Sequence, residues 1–137
     1  MRTNQKMQRF LADGKLHETA LSTELSGILI SGFVEDNGCV FLAAEARNSK
    51  VTRDDLHDDT GYECFINHQH IKTLAEALEF ARRLKSALAA RFSDRFVIIV
   101  GFDGHEATVH FHKHRPGQAW ISDDLEGYLE EGIAVFD

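Results

Sequence analysis

Histidine is the residue type whose spacing first suggests chemistry. The chain holds eight, and His110, His112 and His114 occupy every second position, so along an extended strand all three project from one face. His68 and His70 repeat the pattern elsewhere. Neighbouring strands could bring four imidazoles together, and neutral imidazole nitrogens suit zinc, with an acidic side chain or water completing the shell. Alternating strand residues stand about 7 Å apart and converge on one ion only with a specific curvature. No established zinc spacing is present. Two other readings account for the same letters: a solvent-facing, partly polar sheet surface opposite a helix-covered face, or a polar binding face that changes charge near the reference pKa of about 6.5. No metal and no cofactor is assigned from the sequence.

Catalytic constellations are scarce. Glu63 or Glu106 beside histidines could form a general acid-base set. The G-x-S-x-G elbow, the phosphate-cradling G-x-x-x-x-G-K loop, the H-E-x-x-H helix and the dinucleotide-binding glycine fingerprint are all absent. The chain is therefore read as a binder and not as an enzyme.

Carboxylates form the other conspicuous group. The long polar connection from Arg47 to Thr60 concentrates Asp54, Asp55, Asp58 and Asp59, and connections of that length are often functional. A second acidic stretch, Asp123, Asp124, Glu126, Glu130 and Glu131, surrounds Tyr128, a composition suited to gripping a basic surface. An amphipathic surface helix packing Leu125, Tyr128 and Leu129 explains the same letters. Trp120, just before that stretch, either plugs a helix and sheet junction or anchors an interface.

One long helix must organise the elements that carry these residues. From Thr73 to Phe92, Leu74, Ala77, Leu78, Ala81, Leu84 and Leu88 recur at helical spacing, and Thr73 with Glu76 fits a capping box. Strands are expected from Leu25 to Val34, from Cys39 to Ala46 after an Asp36-Asn37-Gly38 hairpin turn, and from Tyr62 to Ile71. Further strands are expected over Phe96 to Phe102, after Asp103-Gly104 over Ala107 to His114, and at the edge over Ile133 to Phe136. Ser122 starts a short helix that Gly132 can end in the left-handed conformation. Met1 to Thr23 is either a short helix or a loosely attached arm. The architecture that follows is α+β: an antiparallel sheet of five or six strands, the long helix packed on one face, and a short C-terminal helix.

At 137 residues the chain has room for one core, so residues 1 to 137 are read as a single domain. Fifteen Lys and Arg against 22 Asp and Glu give a net charge of -7, which repels phosphate backbones and argues against nucleic acid as a partner. The same balance favours association with a basic protein. Cys39 and Cys64 sit far apart in apolar contexts and read as free buried thiols, consistent with the cytoplasm. No apolar run is long enough to span a membrane and no signal peptide is apparent, so the mature protein is expected to be this whole chain in water. Oligomeric state is not readable.

The ending Trp120-Ile121-Ser122-Asp123-Asp124-Leu125-Glu126-x-Tyr128, with the small apolar strand Ile133-Ala134-Val135 and the preceding Val109 to Arg115 strand, resembles the tails of bacterial immunity proteins. These accompany polymorphic toxins of the contact-dependent growth inhibition and Rhs types. The resemblance covers about Ala107 to Phe136. It implies a small cytoplasmic protein that binds a cognate toxin domain, for example a nuclease, and occludes its active site with acidic residues. Another protein-interaction module, or a histidine-cluster metal-binding protein or enzyme, is the alternative. The contact pool is then Asp54, Asp55, Asp58, Asp59, Asp123, Asp124, Glu126, Glu130 and Glu131.

Overall fold

The computed structural model describes residues 1 to 14, 16 and 19 to 137. It is an α+β structure with a five-stranded antiparallel sheet. The strands are β1 (Arg2–Thr3), β4 (Gln69–Ile71), β5 (Phe96–Phe102), β6 (Ala107–Lys113) and β7 (Gly132–Phe136), in the order β1-β7-β5-β6-β4. The β5–β6 hairpin pairs in full, from Phe96 opposite Lys113 to Phe102 opposite Ala107. Its turn contains Gly104 at φ 102°, a backbone conformation that glycine adopts without a side-chain clash.

Helix α5 (Leu74–Arg91) closes one face of this sheet. Its Thr73 cap accepts from the Glu76 amide, as the sequence suggests, but the Glu76 carboxylate accepts from the Ser22 amide (2.8 Å) instead of reaching back to the cap. One glutamate thus joins the starts of two helices. The buried stripe adds Phe80 to the expected leucines and alanines, and it meets Ile98 and Val100 of β5 and Val109 and Phe111 of β6. Each fully buried side chain of this size contributes about 1.5 to 3 kcal/mol, which is why the helix stays on the sheet.

Several expected strands are helices. Leu25 to Ser31 belongs to α2 (Thr23–Ser31), and only Phe33–Asp36 is strand β2. Ser22 accepts from the Leu25 amide at one end, and Gly32, at φ 73°, closes the other. The continuous apolar run hides a helical face, since Leu25 and Ile28 are buried while Ile30 is exposed. The Asn37-Gly38 turn does form, with Asp36 opposite Cys39, but β3 (Cys39–Leu42) gives way to α3 (Ala43–Ala46). This hairpin is a separate two-stranded sheet.

The strand expected over Tyr62 to Ile71 is mostly helix α4 (Asp59–Ile66), leaving only β4. Near the other end, the helix expected after Ser122 is a 3₁₀ turn at Leu125–Gly127. Gly132 caps nothing. It opens β7, where a Cβ would stand 2.9 Å from Phe10 and 3.0 Å from the Met7 Cα. Close approach of a helix, not positive φ, explains that glycine. Strand β7 lies inside the sheet between β1 and β5, so it is not an edge.

The N-terminal stretch is firmly attached where it is described. Arg2 and Thr3 pair with Val135 and Ala134, and α1 (Gln5–Asp13) follows. Buried Asn4 fastens both chain ends: its Oδ1 accepts from Met7 (2.8 Å) and Ile133 (2.9 Å), and its Nδ2 donates to the Glu131 carbonyl (2.9 Å).

Candidate functional site

The second face of the sheet carries the residues of interest. Over β5 and β7, Val97, Ile99, Ile133 and Val135 are covered by Leu125, with Ile121 and Tyr128 packed alongside. Over β6 and β4 the face is polar. His70 stands opposite Thr108, and His68, just before β4, stacks on His110 with ring centroids 5.5 Å apart at 18°. His68 and His70 meet edge to face at 4.6 Å, with their Nε2 atoms 3.2 Å apart, and Glu106 lies 3.4 Å from the His70 Nδ1. Strand pairing therefore gathers three of the five expected histidines. His112 is set apart, donating its Nδ1 proton to the Lys113 carbonyl (2.8 Å), and His114 is exposed. Among the described residues, no group of three or more His, Cys, Asp or Glu side chains is placed to hold a metal ion.

His110 is the unusual member. Both ring nitrogens are shielded from solvent and neither has a hydrogen-bond partner. Burial first, then the charges of His68 and His112, push its pKa down to about 3. Burial also lowers His68, with His70 adding to the effect, and burial lowers His112. Burial thus favours the neutral imidazole at His68, His110 and His112.

Trp120 lies against this face, its ring edge-on to His110 at 6.0 Å. It sits at the junction of α4 and β6 without being buried there, since 48% of it is exposed. Its six-membered ring faces Gly61, where a Cβ would stand 3.6 Å from Cζ3. Two clefts meet at Trp120. One, of about 570 Å³, is lined by Asp54, Asp55, Leu56, His57, Asp58 and Gly61; the other, of about 260 Å³, includes His112, His114, Asp123 and Asp137 with Arg2 and Arg95.

The expected carboxylates divide by use. Asp59 pairs with Arg53 (2.8 Å), and Asp58 caps α4 by accepting from Gly61 (2.7 Å). Asp55 accepts from the Thr52 amide and hydroxyl, bonds that hold its carboxyl below the ordinary range. Asp124 caps the 3₁₀ turn and Glu126 accepts from the Gln5 amide. Among the described residues, no hydrogen bond or ion pair occupies the carboxylates of Asp54, Asp123, Glu130 or Glu131. Geometrically, Asp54, Asp55, Asp58 and Asp123 gather around Trp120, whereas Glu126 lines a different cleft that also holds Lys6 and Arg9. Sequence reasoning missed Gly61, whose signal was its place three residues after the capping Asp58.

Glu63, suggested with Glu106 as a general base, is fully engaged in hydrogen bonds. It is fully buried on α4, where Oε2 accepts from Val40 (2.7 Å) and Oε1 accepts from Lys113 (3.0 Å) and from Arg115. Four residues on, Asn67 accepts from Leu42 (2.8 Å) and donates to the carbonyls of Val40 (3.0 Å) and Phe111 (3.3 Å). The pairing of β4 with β6 ends at Gln69 opposite Val109, and these two side chains satisfy backbone groups of β6 and β3 beyond it.

No helix among the described residues is long and apolar enough to cross a membrane. Neither the curated proteins nor the solved structures yield a match to the chain. The sequence model described as Uncharacterized protein PM0498 family matches residues 2–137, nearly the whole chain, and the protein belongs to that family.

Proposed function

We propose that this protein is a non-catalytic binder that acts as an immunity protein of a polymorphic toxin system, of the contact-dependent growth inhibition or Rhs type. The observation that carries the reading is Trp120, half-exposed and braced by His110 and Gly61, at the meeting of two clefts rimmed by Asp54, Asp55, Asp58 and Asp123. A rigid aromatic anchor ringed by carboxylates suits a basic protein surface: the ring supplies desolvated contact area, and the charges steer the encounter and fix orientation. The cognate toxin domain is a basic one, with a nuclease the fitting class. Occlusion of its electropositive site by this acidic surface is the mode of inhibition, in the cytoplasm and without contact to nucleic acid or membrane.

The test is co-expression with the C-terminal domain of a large toxin encoded beside this chain. Growth is restored and a complex forms whose affinity falls with salt. Trp120→Ala weakens that complex by at least tenfold, consistent with the 2 kcal/mol or more (about 30-fold) typical of such anchors. The double change Asp54→Asn with Asp123→Asn slows association. Neutralisation untouched by all three changes, or turnover of a substrate by this chain alone, overturns the reading.

A further inference from the structure

The histidine pair at the sheet edge holds a geometry that the acidic surface does not use. We infer that His68 and His70 form a two-nitrogen site for a divalent first-row transition ion of the zinc and copper kind, with Glu106 as the outer carboxylate that orients His70.

Three observations carry this. The two Nε2 atoms are 3.2 Å apart while the ring centroids are 4.6 Å apart, so the rings lean together at their Nε2 ends. Nitrogens bound at about 2.0 to 2.1 Å to one tetrahedral zinc stand about 3.3 Å from each other, which matches that separation. The Glu106 Oε1 lies 3.4 Å from the opposite nitrogen of His70, on the side from which a carboxylate supports a ligating histidine. The two Nε2 atoms lie within hydrogen-bond distance of each other, so an ion bound there displaces the one proton between them and takes both nitrogens.

Both rings are also held from behind. His110 stacks on His68, and the Asp103 Oδ1 accepts from the amides of His105 (2.7 Å) and Glu106 (2.8 Å), fixing the turn that presents Glu106. Strand β4 is the sheet edge, and the His70 side chain is 61% exposed, so the remaining coordination positions open to solvent and water fills them. Two imidazoles with water favour nitrogen-seeking ions in the order copper over zinc, and exclude calcium and magnesium, which require oxygen ligands.

The site stands apart from the proposed toxin contact, so its test is separate. Calorimetric titration of the full chain with Zn²⁺, repeated with Cu²⁺ and Mg²⁺, gives one saturable site per chain for the first two, tighter for copper, and none for magnesium. His70→Gln, an exposed change that leaves folding intact, and His68→Gln each weaken zinc binding at least tenfold. Glu106→Gln weakens it about tenfold. The His114→Ala control leaves it unchanged. In the unaltered protein, zinc shifts the imidazole NMR signals of His68 and His70 together. Absence of saturable zinc binding, or binding that survives both histidine changes, overturns the inference, and either result leaves the Trp120 reading standing.

Discussion

Strand β6 has a polar centre on each side, and the two are built on opposite terms. At the seam toward β3, Glu63, Asn67 and Arg115 are all bonded: Arg115 reaches the carbonyls of Gly38 (3.2 Å) and Lys113 (3.3 Å) as well as Glu63. On the histidine face, both nitrogens of His110 are buried without a partner. A fully bonded polar centre fixes one arrangement of the backbone. An unbonded one carries a desolvation cost with no return in stability. The contrast separates residues kept for the fold from residues free to serve a surface.

Breaking the seam has the largest effect. Arg115→Ala leaves Glu63 charged and fully buried and lowers unfolding free energy by about 3 to 5 kcal/mol in denaturant titrations, whereas Glu63→Ala leaves the partly exposed Arg115 and loses less. Replacing both residues by apolar ones of similar volume loses far less than the sum, because no uncompensated charge remains. Next in size is Asn67→Ala, which leaves the Leu42 amide and the Val40 carbonyl unpaired and lowers stability by about 1 to 3 kcal/mol.

On the opposite centre the sign reverses. His110→Leu removes two orphaned nitrogens and keeps or raises stability, by up to about 1 kcal/mol. It also flattens the acid branch of the stability curve. The pKa of His110 is depressed in the folded chain, so its neutral form is fully accommodated above the unfolded value near 6.5. Stability is lost as pH falls from there toward about 3. His68 and His112 face it and add their own charges when protonated. Denaturation midpoints of the two proteins at pH 7, 5 and 4 measure the difference, and parallel curves would erase the contrast.

The smallest effect is chemical. Cys39 is fully buried at the seam, its sulfur 3.6 Å from the Arg53 guanidinium, yet burial and the Glu63 charge push its pKa up to about 11. Burial raises Cys64 further. Neither thiol reacts with iodoacetamide at pH 8 until the chain is unfolded, when both react. The share of stability held by the neutral Cys39 is present below the ordinary value of 9.0 and lost as pH rises through about 11.

What could be read from the letters depended on periodicity. Leu74 to Arg91 was legible because apolar spacing, a Thr73 cap and length agreed, and Phe96 to Lys113 was legible because alternation met an Asp-Gly turn. Tyr62 to Ile66 was not. Its alternate apolar residues satisfy a strand pattern, while the pair that decides its structure, Glu63 and Asn67, is spaced for a helix and bonded to strands distant in sequence. Leu25 to Ser31 misled for a related reason: a continuous apolar run carries no period, and only Ser22 and Gly32 marked its ends.

The candidate site divides in the same way. Alternation in the sequence grouped His68 with His70, and His110 with His112, because the direction of a strand side chain is set locally by the pleat, while the pairing of β4 with β6 brought His110 to His68. Which carboxylates were free was decided elsewhere. Asp59 meets Arg53, Asp58 caps its own helix, and Trp120 lands between Gly61 and His110 only after α4 and β6 are packed together. Composition fixed a negative surface and residue spacing fixed the long helix and its neighbouring hairpin. Partners that lie many residues apart decided the rest, because burial and hydrogen bonding depend on distances that local pattern does not encode.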